Sequence, residues 1–179
     1  MTLVTSAIER LTATGIDTVD GRAHACDVIV YATGFDTHSF QGPLDISGRD
    51  GRVLRDVWRE APEAYLGITV AGFPNFFMLY GPNTNLSHNT ILEMLEAQMR
   101  YILQALERLD ESRALDVRAD VLRRFNNRLQ ADFRGTSWTG GCTSWYIRDG
   151  RVINNWVGSV EAYKARTARL DPEDFEALA

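Results

Sequence analysis

Short runs of apolar and polar residues, separated by turn residues, predict short β-strands along the first 35 positions. The strand pattern covers residues 7–12 and 15–19, and Asp20-Gly21 after them is a strong hairpin signal. A third strand is predicted at residues 27–31, which are apolar at every position after Asp27, as expected of a strand covered on both faces. The amino-terminal part is therefore predicted to be a small β structure.

Two further apolar runs predict strands in the middle of the chain. They span residues 65–70 and 76–80 and are separated by a turn at residues 72–75, Gly-Phe-Pro-Asn. Residues 36–62 show no sustained periodicity and are rich in Gly, Asp and Arg, so a loop-dominated segment is predicted there.

The longest helical pattern runs from about Thr90 to Leu109. Thr90-x-x-Glu93 fits a capping box at its start. The predicted inward stripe has helical spacing and consists of Ile91, Leu95, Met99, Ile102, Leu106 and Leu109.

A second helix is predicted from about Arg118 to Phe133. Its predicted inward residues are Leu122, Phe125, Leu129 and Phe133, and its arginines form a solvated face at Arg118, Arg123, Arg124 and Arg128. The segment that follows, residues 135–146, is dense in Gly, Ser, Thr and aromatic residues.

Composition and charge exclude several classes of partner. The 179 residues are 45% hydrophobic and 24% charged, and the net charge of -5 gives no electrostatic reason to expect nucleic acid. Cys26 and Cys142 form no Cys-x-x-Cys pair, and no histidine has a partner at metal-ligand spacing, so we expect no metal site and no disulfide framework. No membrane helix or signal peptide is expected, and a cytoplasmic location is predicted.

Candidate chemistry lies where a predicted strand ends in a glycine turn. The two places are Thr33-Gly34 and Gly81-Pro82-Asn83, and the second leads into the start of the long helix. A helix start offers unpaired N–H groups and a partial positive charge, which suit an electron-rich ligand atom. Two readings stay open. The turns could be ordinary connections, and the polar side chains could cap the helix themselves (Asn83, Asn85, Ser87, His88 and Asn89).

Four aromatic residues could line an apolar pocket or belong to the core: Trp138, Trp145, Tyr146 and Trp156. The core is the favoured interpretation, because aromatic clusters usually pack.

Four segments, in this order, resemble the carboxy-terminal third of the class B flavin-dependent monooxygenases, which include the Baeyer–Villiger and flavin-containing monooxygenases. They are DVIVYATGF at residues 27–35, FPNFFMLYGPN at residues 73–83, the helix with Glu96-Ala-Gln98 and Tyr101-Ile102, and GCTSWY at residues 141–146. The last segment favours the Baeyer–Villiger side of the family.

The resemblance implies an α/β fold that is the carboxy-terminal part of a protein with two dinucleotide-binding domains, one for FAD and one for NADPH. Residues 1–40 would be the last strands of the NADP-type domain. Residues 41–179 would be the carboxy-terminal part of the FAD-type domain, with an aromatic loop. Such enzymes insert oxygen into ketones or oxidise heteroatoms of small organic substrates.

The resemblance also implies roles for residues of this chain. Thr33 and Gly34 would mark the return from the NADP domain to the FAD domain. The residues implied to approach the flavin are Gly81, Pro82, Asn83, Asn89, Thr90 and Ile91. Trp145 and Tyr146 would lie on the substrate side, and no catalytic residue is implied.

The sequence departs from the family pattern because no G-x-G-x-x-G occurs in it. We therefore expect a fragment that does not oxygenate substrates by itself, and a homo-oligomer formed through exposed apolar surface. The alternative is a non-catalytic interaction or scaffold module that retains half a flavin site. A simple NAD-dependent dehydrogenase is disfavoured, since the first βαβ fingerprint is missing.

Overall fold

The computed structural model of the protein describes residues 1–34, 37, 39–109, 113–141 and 144–178. The chain divides into two compact units, residues 1–35 and residues 36–179. Phe35 and Cys142-Thr143, which belong to the segments 27–35 and 141–146 named above, lie outside the described residues. The predicted domains 1–40 and 41–179 stay a prediction, because the division into units does not say which cofactor each part serves.

The first unit contains a three-stranded antiparallel sheet in the order β1-β2-β3. Its strands are β1 (Ile8–Thr12), β2 (Gly15–Thr18) and β3 (Ala23–Ala25). The turn after β2 closes where Gly21 N donates to Thr18 O at 2.9 Å. Gly21 has a φ of 78°, which a glycine adopts without strain. The hairpin predicted at Asp20-Gly21 is confirmed.

The strand predicted at residues 27–31 is wrong for this chain. No strand is assigned to residues 26–34, and Val28, Val30 and Tyr31 are largely exposed. A strand needs a hydrogen-bonding neighbour, and its apolar faces need cover. Within the described part of the first unit the sheet ends at β3, so this apolar run has no ladder to join.

The second unit is a mixture of helices and short strands. In chain order these are α1 (Leu54–Val57), α2 (Ile91–Arg108), β4 (Ala114–Val117), α3 (Ala119–Asp132), β5 (Ile147–Arg148), β6 (Arg151–Val152), α4 (Val160–Thr167) and β7 (Phe175–Leu178). β4 pairs antiparallel with β7, and β5 pairs antiparallel with β6.

The strands predicted at residues 65–70 and 76–80 are also wrong. Tyr65 and Thr69 form an isolated bridge across a tight turn whose inner residues, Leu66 and Gly67, have φ values of 56° and 67°. These left-handed conformations interrupt an extended chain. Residues 76–80 form no ladder either. The apolar run at residues 65–70 instead reflects burial, which is complete along residues 64–70, whereas residues 76–78 are half-buried and Leu79 and Tyr80 are exposed.

Helix α2 is confirmed, but its buried face differs from the predicted stripe. The buried residues are Met94, Ala97, Gln98, Tyr101 and Ala105. Of the predicted stripe, Met99 and Leu106 are exposed, while Ile91, Leu95, Ile102 and Leu109 are half-buried. The prediction failed because it counted only large apolar residues, whereas Ala97, Ala105 and Gln98 are buried and Gln98 Nε2 donates to the Tyr163 hydroxyl of α4.

Helix α3 largely follows the prediction. Phe125, Leu129 and Phe133 are buried in the same core as Tyr101 of α2 and Tyr163 of α4. The four arginines predicted on its solvated face are exposed, and Leu122 is half-buried.

Asp116 fixes the loop-dominated segment to the sheet. This buried carboxylate of β4 accepts the Gly72 N–H at both oxygens, at 2.9 and 3.2 Å, and pairs with Arg49 at 3.3 Å. The pairing of β4 with β7 and its link to Gly72 were not predicted from the sequence. In the part of the chain that the structure describes, no helix is long and apolar enough to cross a membrane.

Candidate functional site

The glycine turn at residues 81–83 packs directly on the turn at residues 65–69. A Cβ on Gly81 would lie 2.4 Å from Gly67 O, and a Cβ on Gly67 would lie 2.1 Å from Thr84 Cγ2. Two backbones can approach this closely only where both residues lack side chains. The turn predicted to belong to the site, residues 81–83, is therefore held in position by its contact with the turn at residues 65–69.

Asn83 joins the turn to the chain at residues 152–155. It is buried and has a φ of 59°, which asparagine tolerates better than most residues. Its N–H donates to Ile153 O at 2.9 Å, and its Nδ2 donates to Val152 O at 2.7 Å and to Asn155 O at 3.1 Å. The side-chain amide is thus used for support within the fold.

The chain after Asn83 runs alongside residues 153–156. Asn85 N donates to Asn154 O and Trp156 N donates to Asn85 O, both at 2.9 Å, around a parallel bridge between Asn85 and Asn155. Thr84 is fully buried, and its hydroxyl donates to Gly81 O at 2.7 Å. The segment that leads to α2 therefore has a fixed course.

A buried polar relay holds the turn from the opposite side. Gln98 of α2 accepts the Tyr80 N–H at 3.0 Å, and its Nε2 donates to the Tyr163 hydroxyl at 3.0 Å. That hydroxyl donates to Leu66 O at 2.6 Å. Both backbone residues in the relay have a positive φ, 59° at Tyr80 and 56° at Leu66. Gln98 and Tyr163 thus hold two strained backbone positions in place.

The tyrosines of this core predict a pH dependence of stability. Burial raises the pKa of the Tyr163 hydroxyl above its ordinary value, and it does the same for Tyr65 and Tyr101. The stability that comes from keeping these phenols neutral is fully present below the unfolded pKa of about 10 and is lost as pH rises towards the folded values.

We expect the phenolate absorbance of these three tyrosines to appear only together with alkaline unfolding above pH ~10. The measurement is a pH titration followed by ultraviolet absorbance and circular dichroism on the same samples. Gradual ionisation of all six tyrosines with the helical signal intact would contradict it.

The N-terminal end of α2 (residues 89–91), called the helix head below, carries polar side chains that reach solvent. Thr90 is the N-cap, and its hydroxyl accepts the Leu92 N–H at 3.4 Å, while Asn89 Oδ1 accepts the Thr90 N–H at 2.7 Å. Glu93 pairs with Lys164 of α4. The predicted capping box is thus half formed, because Asn89 takes the role expected of Glu93. Ser87, His88, Asn89 and Thr90 are exposed, and Ile91 is half-buried.

The aromatic residues separate into two groups. Trp156 is buried and packs edge-on against Tyr163 at 5.3 Å, as the core interpretation predicts. Tyr146 is half-buried and makes edge contacts with Trp138 at 5.1 Å and with Trp145 at 5.7 Å. Trp145 is exposed, so this second group borders solvent.

Residues 152–156 support both parts of the site predicted in the second unit, the turn at residues 81–83 and the aromatic segment around Trp145. They bind the turn at Asn83, and Asn154 Nδ2 donates to Thr37 O at 3.0 Å. The Thr37 hydroxyl in turn donates to Trp145 O at 3.2 Å. Sequence reasoning missed this supporting segment, because no local pattern reveals a hydrogen bond between Asn154 and Thr37, which are 117 positions apart.

The predicted residues Thr33 and Gly34 belong to the first unit, where both are exposed. Gly34 has a φ of 76°. The other predicted site residues all belong to the second unit. There the turn residues Gly81, Pro82 and Asn83 are buried, while Asn89 and Thr90 reach solvent.

The chain is similar in sequence to curated monooxygenases along nearly all of its length. It is 41% identical over 181 residues to the FAD-binding monooxygenase ktnD of Aspergillus niger, covering 97% of this chain and 30% of that protein. It is also 41% identical over 179 residues to a Baeyer–Villiger monooxygenase of Pseudomonas aeruginosa, covering 97% of this chain and 34% of that protein. The chain thus spans about a third of the length of these relatives. No family model matches it.

Solved structures give the same result for the fold. A closed crystal structure of cyclohexanone monooxygenase matches with a TM-score of 0.79 at 29% identity, over 96% of this chain and 34% of the other. An oxidised steroid monooxygenase bound to NADP matches with a TM-score of 0.77 at 28% identity, over 97% and 34%. The predicted fold class, an α/β part of a larger flavin monooxygenase fold, is confirmed. In sequence and in fold, the chain corresponds to a carboxy-terminal portion of the class B flavin-dependent monooxygenase family.

Proposed function

We propose that this chain forms one side of the flavin site of an FAD- and NADPH-dependent monooxygenase that acts on ketones or heteroatoms of small organic molecules. The support is the similarity to enzymes named for FAD binding and for Baeyer–Villiger oxidation. Because the chain spans a third of those proteins and contains no glycine-rich phosphate loop, we further propose that it does not oxygenate substrates by itself. A cytoplasmic location belongs to the same proposal.

The residues at the head of α2 fit one edge of a flavin ring. They present exposed hydroxyl and amide groups and the positive end of an 18-residue helix. A flavin bound there would supply the redox chemistry with oxygen. Asn89, Thr90 and Ile91 would bind the ring edge and stabilise negative charge on it, while Gly81, Pro82 and Asn83 would hold the approach to the helix in place.

The observation that carries this proposal is the fixation of the turn at residues 81–83 from two sides. Residues 152–155 bind Asn83, and Gln98 of α2 binds Tyr80 N–H. A helix head placed by such a frame is pre-organised, which is what electrostatic stabilisation of a bound group requires.

Two further assignments belong to the proposal. Trp145 and Tyr146 would contribute the substrate side, supported by their position at the solvent border of the aromatic group. Thr33 and Gly34 would form the connection to the NADP domain, supported by the left-handed turn at Gly34.

The flavin assignment is tested with two substitutions of the helix cap. Serine and aspartate are both good N-caps, so Thr90→Ser and Thr90→Asp should leave the helix intact. The carboxylate of Thr90→Asp would repel an electron-rich ring edge, and we expect it to weaken FAD binding about tenfold, a difference of ~1.4 kcal/mol. Thr90→Ser should bind as the parent does. The measurement is quenching of flavin fluorescence, with circular dichroism as the control for folding.

Quenching that is equal in both variants would contradict the assignment of the helix head. No quenching by the parent chain at millimolar FAD would contradict flavin binding by this chain and would favour the alternative, a non-catalytic interaction or scaffold module. Steady NADPH consumption coupled to product formation by the purified chain would refute the proposed lack of activity.

Self-association remains part of the proposal. Exposed apolar side chains favour contact between copies, so we propose a homo-oligomer at high protein concentration. A clean monomer in sedimentation velocity at such concentrations would count against it.

A further inference from the structure

Residues 171–178 contact the first residue of the turn at residues 65–69. They consist of a single 3₁₀ turn, Pro172–Asp174, followed by strand β7. β7 pairs antiparallel with β4 at four pairs of residues, and Phe175 at its start is buried in the main core. We call residues 171–178 the strap.

Asp174 of the strap binds the side chain of Tyr65. The Tyr65 hydroxyl donates to Asp174 Oδ2 at 2.5 Å, although the two residues are 109 positions apart. A hydrogen bond of this length to a carboxylate is stronger than one between neutral groups. Burial, and after it the hydrogen bond to Asp174, raises the pKa of Tyr65, so the hydroxyl stays a donor. The rings of Tyr65 and Phe175 also make an edge contact at 6.5 Å.

The strap also reaches the far end of the same segment, at Gly72. Arg49 Nη1 lies 3.3 Å from Glu176 of the strap and 3.3 Å from Asp116 of β4. The Arg49 N–H donates to Gly72 O at 2.7 Å. Because Arg49 and Glu176 both reach solvent, their ion pair contributes less than the hydrogen bond at Tyr65. The strap thus holds residues 65–72 at both ends, and more firmly at Tyr65.

The turn that begins at Tyr65 supports the candidate site. Its Ile68 O accepts the Met78 N–H at 2.8 Å, in the chain that leads to the glycine turn of the site. Its Gly67 packs directly on residues 81–84. A displacement of Tyr65 would therefore move both supports of the site turn together.

We propose that Asp174 is a positioning residue for the turn at residues 81–83. Its carboxylate holds the Tyr65 hydroxyl, and Tyr65 in turn sets the backbone on which the site turn rests. The inference rests on the proposed function only for the identity of the ligand that the turn serves, since the coupling between Asp174 and the turn does not require a flavin.

The test is amide hydrogen exchange in the complete 179-residue chain. Asp174→Asn removes the carboxylate, and Tyr65→Phe removes the other partner of the same hydrogen bond while it keeps the ring. We expect the amides of Met78 and Asn83 to exchange about tenfold faster in each variant. The double variant should exchange no faster than either single variant, because all three lack one and the same hydrogen bond.

Two controls separate positioning from a general loss of stability. The Arg118 N–H donates to the backbone O of Asp174 at 2.9 Å and therefore reports whether the strap stays docked. We expect its exchange to be unchanged in Asp174→Asn and in Tyr65→Phe. Glu173→Gln removes a charge from the exposed neighbouring residue of the strap and should leave all three amides as in the parent.

Unchanged exchange of the Met78 and Asn83 amides in both single variants overturns the inference. Equal acceleration at Arg118 also overturns it, because Asp174 would then only stabilise the strap.

Flavin binding is measured on the same variants by fluorescence quenching. If the turn serves the flavin, FAD should bind about threefold more weakly to Asp174→Asn and unchanged to Glu173→Gln. Faster exchange at Met78 and Asn83, combined with no quenching by the parent chain, would support the coupling and contradict only the proposed function.

Discussion

Gly67→Ala is expected to destabilise the second unit by about 2–4 kcal/mol. A methyl group at this position would lie 2.1 Å from Thr84 Cγ2 and 2.8 Å from Pro82 O, so the turn at residues 81–84 would have to move. The φ of 67° adds the cost of a left-handed alanine, about 1–2 kcal/mol. The measurement is urea unfolding at constant m-value.

Gly135→Ala separates the two causes. Gly135 has a φ of 75° and nothing within 4 Å of its would-be Cβ, so it carries the backbone cost without the clash. We expect a loss of about 1–2 kcal/mol there. Equal losses in the two variants would show that the close packing of the turns at residues 65–69 and 81–84 contributes nothing to stability. That result would contradict the arrangement described for the site.

Gln98→Leu is expected to cost about 1–3 kcal/mol and to release the turn at Tyr80. The substitution keeps the size of the side chain but removes the acceptor of the Tyr80 N–H and the donor to the Tyr163 hydroxyl. Because Tyr80 has a φ of 59°, we expect it to relax once its N–H is no longer held. Urea unfolding gives the stability, and hydrogen exchange of the Tyr80 amide reports on the turn.

Tyr163→Phe provides the second half of a double-mutant cycle. It removes the hydroxyl that joins Gln98 to Leu66 O and leaves the ring packed on Trp156. If the relay acts as one unit, the double variant should lose less stability than the sum of the two single variants, by about 0.5–3 kcal/mol. Strict additivity, with the Tyr80 amide exchanging as in the parent, would mean that the relay does not position the turn.

The sequence predicted the helices better than the strands, for a reason visible in particular residues. Helix hydrogen bonds are local, so the pattern from Thr90 onwards was enough to place α2 and its cap. Strand pairing depends on a neighbour. The apolar runs at residues 27–31, 65–70 and 76–80 looked like strands, yet none joins a ladder in the described chain. Apolar composition predicted burial along residues 64–70 but not the kind of backbone.

The sequence indicated where along the chain the candidate site lies, but not which residues hold it in place. The glycine turn and the helix head were identified from the sequence, because turn residues and N-caps have local signatures. The roles of Gln98, Tyr163 and Asn154 had no such signature. Each acts through a hydrogen bond to a residue far away in sequence, such as that of Asn154 to Thr37.

The sequence by itself determined the helices, the hairpin at Asp20-Gly21, the ordered motifs and, through them, the family resemblance. Only the tertiary structure decided which face of α2 is buried, that Gly67 and Gly81 pack backbone to backbone, and that residues 152–156 support both parts of the proposed site. The physical reason is the range of the interactions. Turns, caps and helices are fixed by contacts within a few residues, whereas the frame of the site depends on contacts between segments that the chain brings together only when it folds.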